Sequence, residues 1–249
     1  MIDGYEQYLE SLARPLRDSG LEVSTRALWA HPLDESIVRQ AAAVGADLVF
    51  KDTHRHSALS RALLTNTDWG LVRHCASPLW LVQPRELPQK PVILCAIDPM
   101  NEHDKPAALD DEIIVMSKTL AALMEGEVHV FHSYDPRMAI SSATASAYMP
   151  VSLPVDEIQE RMREQHEKRF HEIVDYHEIE REHTHLVAGL AHEELPALAT
   201  ELNAALVAMG AVSRNRLKRL FIGATAERTL GLLPCDLLVI KPEWFPAPT

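Results

Sequence analysis

The stretch "ALVAMGAVSRNRLKRLFIGATAERTLGLLPCDLLVIKP", Ala205 to Pro242, decides the fold. Its apolar opening reads as a buried strand. A basic loop follows, bracketed by Gly210 and Gly223, and then a run that opens a helix. Glycine-bracketed strand-to-helix loops hold phosphates in open α/β proteins, because backbone N–H groups and a helix N-terminus converge on the anion there. The stretch closes in an apolar strand ended by proline.

The same pattern occurs earlier in the chain. "DLVFKDTHRHSALSRALLTNTDWGLVRHCASPLWLVQP", Asp47 to Pro84, lies over it without a gap at an offset of 158 residues. Leu48 meets Leu206, Val49 meets Val207, Leu59 meets Leu217, Arg61 meets Arg219, Thr67 meets Thr225 and Pro84 meets Pro242. A repeat of this length marks two copies of one α/β unit.

Working outward, the second copy alternates strands and helices. "VILCAI" (92–97) is a continuous apolar run, as expected of a strand covered on both faces. A helix over 107–125 ends at Gly126, and "EVHVFH" (127–132) is the next strand. The proline-bracketed "DPRMAISSATASAYMPVSLP" reads as a loop. In the helix over 156–177, Ile158, Met162, Phe170, Ile173 and Val174 fall on one stripe. "HTHLVAG", a helix over 193–203, "AALVA" and "DLLVIKP" complete the unit. Alternation with short links predicts a doubly wound parallel sheet.

The first copy starts late in this scheme. It opens with the helix "DGYEQYLESLARPLRDSG", the expected strand "LEVSTRALW" (21–29) and a helix over 34–44. The register leaves no place for its opening strand, helix and strand. The expectation is therefore a partial unit over 1–86 and a complete one over 90–249, with a mis-set start or a truncation as the cause. Such a unit exposes strand edges and apolar faces.

Composition narrows the functional classes. Of 249 residues, 47% are hydrophobic and 24% charged, enough for a real core. A net charge of −12 argues against a broad nucleic-acid-binding face, and "RNRLKR" (214–219) is the one local exception. No apolar run is long enough for a membrane span, and the N-terminus has no signal-peptide pattern. The odd set Cys75, Cys95 and Cys235 fits packed, reduced thiols of a cytoplasmic protein.

No catalytic residues are assigned: there is no G-x-S-x-G elbow and no Walker lysine. The pairs Asp110–Asp111 and Glu193–Glu194 suit helix starts. No metal ligands are assigned either. "HRH" (54–56) and "HTH" (183–185) place imidazoles on one strand face but lack a third ligand in zinc spacing, and His166, His171 and His177 read as surface residues. Trp29, Trp69 and Trp80 fall in apolar contexts that predict packing.

In a doubly wound sheet the ligand lies outside the carboxyl ends of the strands, where the winding reverses. Asp98, the Val187–Gly189 turn and the glycine-bracketed loop should meet there. The loop runs as Gly210, two residues, Ser213, nine residues and then Gly223-Ala224-Thr225. This arrangement, with Asp98 in "LCAIDP" and the ending "LLPCDLLVIKP", resembles the universal stress protein family in its tandem form.

The resemblance implies two tandem domains of the adenine nucleotide alpha hydrolase-like fold. It also implies ATP as the possible ligand, held by Asp98, Val187, Gly210, Ser213, Arg214, Gly223, Ala224 and Thr225. The implied role is non-catalytic and cytoplasmic, supporting survival of starvation, oxidative or DNA-damaging stress. Self-association or pairing of the two domains within one chain is expected, without nucleic acid or membrane.

Two departures weaken the phosphate grip. Ser213 puts a Cβ where the family has glycine, at a cost of about 1 kcal/mol if φ is positive. Ala224 lacks the hydroxyl of the usual Ser/Thr, a hydrogen bond of about 0.5–1.5 kcal/mol; Arg214 and Arg216 offset this electrostatically. The first copy has Asp52, Arg55 and Thr65-Asn66 at these places, no glycine, and a carboxylate where phosphate would lie. It is not expected to hold ATP.

Overall fold

A computed structural model describes residues 2–53, 64–101, 109–137, 155–210, 228–242 and 245. In chain order the helices are α1 (Ile2–Asp18), α2 (Leu33–Val44), α3 (Asn66–His74), α4 (Leu109–Met124), α5 (Val155–Tyr176) and α6 (Ala191–Glu201). The strands are β1 (Val49–Asp52), β2 (Leu79–Val82), β3 (Val92–Ala96), β4 (Glu127–Tyr134), β5 (Thr184–Ala188), β6 (Leu206–Gly210) and β7 (Asp236–Ile240).

All seven strands form one sheet in the order β1-β2-β7-β6-β3-β4-β5. Every neighbouring pair is parallel except β2 with β7. The repeat is visible in the register. Val49 pairs with Leu79, and their equivalents Val207 and Leu237 pair in the same way.

Alternate residues of the apolar strands separate two cores. Leu94, Phe131, Val207, Leu237 and Val239 pack with Val38 of α2, Leu71 and Val72 of α3, and Leu195 and Ala199 of α6. On the other face Ile93, Cys95, Val130, Leu206, Ala208 and Leu238 pack with Ile113 and Ile114 of α4 and Phe170 and Val174 of α5. Helices thus cover both faces of β3, β4, β6 and β7, which is why these strands read as unbroken apolar runs. Within α5's predicted stripe, Phe170 and Val174 are fully buried, while Ile158, Met162 and Ile173 are half-buried. After α4, Glu125 adopts the left-handed φ of 52° and Gly126 follows. A Cβ at Gly126 would lie 2.3 Å from the Pro91 carbonyl oxygen, so the turn needs glycine for close approach.

The expected strand 21–29 is not a strand. Its counterpart β5 pairs with β4 alone, at the sheet's edge. An equivalent of β4 for the first copy is absent among the described residues, so this segment has no ladder to join. Trp29, expected to pack, is 86% exposed in consequence. Tyr5, Tyr8, Leu12 and Leu16 likewise form an exposed apolar stripe along α1. Trp69 is half-buried, Trp80 is buried, and the three cysteines are free and buried. No helix among the described residues is long and apolar enough to cross a membrane.

Candidate functional site

The winding reverses at β3, which has β6 on one side and β4 on the other. Asp98 lies two residues past its carboxyl end, Gly210 ends β6, and Val187 is next to last in β5. Ala96 pairs with Phe131 and with Met209, and Ser133 pairs with Val187. Extending that register puts Asp98 level with Ser133 and Val187, and Ile97 level with Gly210. Asp98 and Val187 are separated by two strand spacings, roughly 10 Å. The three expected residues that are described therefore share one edge of the sheet. Ser213, Arg214, Gly223, Ala224 and Thr225 lie outside the described residues.

The polar groups around Asp98 come from three elements. Its N–H donates to Asp110 Oδ1 (3.2 Å), a buried carboxylate in the first turn of α4. His132 of β4 joins its Nδ1 to the Ile97 carbonyl (3.2 Å) and its Nε2 to His166 Nδ1 of α5 (2.7 Å). The His166 ring stacks on Tyr134 with centroids 4.9 Å apart. His166 is 8% exposed, and His177 is also buried, bonded through Nε2 to Asp111 (2.7 Å). Both correct the expectation of surface histidines: His166 of α5 meets a partner on β4 and His177, just past α5, meets one on α4, while His171 is half-buried. Burial, followed by the charge of a protonated His132, holds His166 down to about 4, and the Asp98 carboxylate pulls the other way. An uncharged His166, hydrogen-bonded to His132, thus backs the edge.

Gly210 has a packing role of its own. A Cβ there would stand 2.8 Å from Leu109 Cδ2 and 3.5 Å from Ile113 Cδ1. Glycine lets α4 start hard against the end of β6.

The first copy has filled its own cradle. Helix α3 corresponds in the repeat to the helix that the sequence predicts after Gly223. Thr65, the counterpart of Gly223, caps it: Thr65 Oγ1 accepts from Asp68 N–H (3.2 Å), and Thr65 N–H donates to Asp68 Oδ2 (2.7 Å). Asp68 has no exposed surface, and its other oxygen is held by Lys51 Nζ at 3.0 Å. A side-chain carboxylate thus occupies the helix N-terminus, the position that attracts anions. The expectation that a carboxylate blocks this place placed it at Asp52. Asp52 is instead an exposed strand end, and Asp68 is the anion. The T-x-x-D spacing of a capping box was the readable signal.

The residues with metal-ligand geometry among those described lie at the opposite, amino-terminal edge of β4 and β5. Glu127, His129 and His183 bring one ligand atom each within 4.8 Å of one another, and Glu180, Glu182 and His183 do the same. "HTH" therefore has neighbours that its own spacing did not reveal. "EVH" on the adjacent strand was the available signal.

An open, mostly parallel sheet with an aspartate past its switch strand and a glycine ending the neighbouring strand defines an α/β protein of the nucleotide-cradle class. The chain belongs to the universal stress protein family, whose profile matches residues 3–83 and 91–241. It is similar to universal stress protein E of Escherichia coli K12 and to that of Salmonella typhi. Each is 31% identical over 242 residues, covering 97% of this chain and 75% of the relative. A solved structure from Pseudomonas aeruginosa UCBPP-PA14, 27% identical, superposes with a TM-score of 0.78 over 95% of this chain and 78% of that one. The chain is thus a tandem universal stress protein of the E type.

Proposed function

We propose that this chain is a non-catalytic, cytoplasmic stress-response factor that supports survival of starvation, oxidative or DNA-damaging stress through its folded core and interaction surface. The observation that carries the reading is the Asp68 carboxylate seated at the α3 N-terminus. One of the two cradles is closed to an anion by its own side chain, so paired nucleotide turnover has no second site to use. The units 1–86 and 90–249 then pair within the chain through β2 and β7, and the partner is a protein.

The row formed by Asp98, Val187 and Gly210 favours a second reading. In it the remaining cradle takes ATP, with Ser213, Arg214, Gly223, Ala224 and Thr225 toward the phosphates, and bound nucleotide changes partner affinity with slow or no hydrolysis. Thermal-shift titration with Mg-ATP separates the two. The first reading expects no change in Tm at millimolar ATP and no phosphate release. A saturable rise that disappears in the double variant Arg214→Ala, Thr225→Ala establishes the switch instead.

A further inference from the structure

Three imidazoles and a carboxylate meet where β4 and β5 begin. Glu127 and His129 stand two residues apart on β4, so they share a face of the sheet. His183 lies immediately before β5, and the register Val130–Thr184 brings it beside His129. His185 follows on the same face, opposite Phe131. The ring of His129 lies 4.3 Å from that of His183 and 5.2 Å from that of His185, centroid to centroid. We propose that Glu127, His129 and His183 form a binding site for one divalent transition-metal ion of the zinc type, with His185 holding the central ligand in place.

The hydrogen bonding gives His129 the form a ligand needs. Its Nδ1 is 2.9 Å from His185 Nε2, and its Nε2 faces Glu127 Oε2 at 3.9 Å. One proton serves the bond between the two rings. With His129 Nδ1–H donating, the lone pair of His129 Nε2 points toward Glu127. Metal-bound histidines use their second ring nitrogen in this way, and the outer partner fixes tautomer and orientation. Without a metal, three close imidazoles gain little from one another. With one, a lone pair from His129 and one from His183 acquire a common acceptor.

The ligand set selects the ion. Two imidazoles and a carboxylate suit zinc and its neighbours, whereas calcium and magnesium prefer oxygen alone. With metal–ligand bonds near 2.0 Å, the ligand atoms must approach to roughly 3.3 Å of one another. Glu127 and His183 have the freedom to do so, their side chains being 56% and 25% exposed. Water or Glu182, whose Oε1 is 3.9 Å from His183 Nε2, completes the tetrahedron. This edge is opposite the Asp98 edge, so the proposal does not depend on nucleotide binding.

The test uses the full chain, produced without a metal-affinity tag and stripped with EDTA. Titration with ZnCl2 in a calorimeter, checked by elemental analysis after dialysis, should show one Zn²⁺ per chain, undisturbed by excess Mg²⁺ or Ca²⁺. Glu127→Gln and His183→Ala should each weaken binding at least about tenfold, and His185→Phe about 10–100-fold, as outer-shell losses do. His192→Ala should leave it unchanged. No stoichiometric binding at micromolar zinc overturns the proposal. So does binding that survives the Glu127→Gln, His183→Ala double variant with native circular dichroism, because both side chains reach solvent and their removal leaves the core intact.

Discussion

Trp80 lies opposite Leu238 in the antiparallel seam, and the two are the same position of the repeat, 158 residues apart. Leu79 faces Val239 and Leu81 faces Leu237, which exchange under the same offset. A local two-fold axis therefore passes between Trp80 and Leu238. Each copy offers the other the same strand edge, which is how the subunits of a symmetric dimer meet. Here the join lies inside one chain.

The seam departs from symmetry at Asp236, whose counterpart is Pro78. This buried carboxylate accepts from Trp80 Nε1 (2.9 Å) and from Gln83 N–H (2.9 Å), with Arg85 Nε 3.8 Å away. Asp236→Ala leaves both donors buried without an acceptor and should cost about 2–5 kcal/mol. Trp80→Phe should cost less, because the carboxylate keeps Gln83. Urea unfolding of the two single variants and the double should give a coupling of about 1–3 kcal/mol. A coupling near zero would mean that the indole bond contributes nothing beyond packing.

Half-buried Lys51 and fully buried Asp68 make a second ion pair, this time within the first copy. Removing only Lys51 leaves an uncompensated carboxylate with no exposed surface. Lys51→Met should therefore cost about 3–5 kcal/mol. Adding Asp68→Asn should recover part of that loss, because the amide oxygen still caps α3 without a buried charge. Equal stability of Lys51→Met and the wild type in denaturant would show that the pair is solvated.

Acid should loosen the protein through His166. An unfolded histidine titrates near 6.5, whereas His166 in the fold is held to about 4, first by burial and then by His132. Above pH 6.5 both states are neutral and the group has no effect. As pH falls from 6.5 toward 4 the unfolded chain takes up a proton that the folded chain refuses, so stability declines across that window. Allowing for solvent screening, the contribution is about 1–2 kcal/mol. Melting curves at pH 7.5 and 5 should therefore fall further apart for the wild type than for His166→Gln. Identical differences would contradict this.

What the sequence disclosed follows from how local each feature is. The strands β3, β6 and β7 are apolar runs, and helices on both faces are the reason they are apolar. The segment 21–29 has strand composition too, yet a strand exists only where a neighbour completes its ladder, and composition carries no record of the neighbour. The repeat predicts two like units but not the edges by which they meet, so the β2–β7 seam was illegible. The histidine groups were missed for the same reason. His132 meets His166, and His129 meets His185, across elements far apart in the chain, and periodicity sees one element at a time. Thr65-x-x-Asp68 was legible as a cap, but its bearing on an anion site required the two copies to be compared position by position.

Gly210 is where the candidate site and the core compete for the same atom position. Its spacing marks it as a phosphate-loop glycine, while its surroundings show that a Cβ would press into Leu109, a buried residue of α4. Gly210→Ala should therefore destabilise the chain by about 1–3 kcal/mol through overpacking, before any ligand is considered. Leu109→Val, which withdraws the offending Cδ2, should cost about 1 kcal/mol alone and less than that in the Gly210→Ala background. Strictly additive losses would place the clash elsewhere. The larger side chain of Gly210→Asp would strain this contact further, so loss of an ATP-induced shift in that variant reports packing as much as binding. Variants at Arg214 and Thr225 avoid that ambiguity.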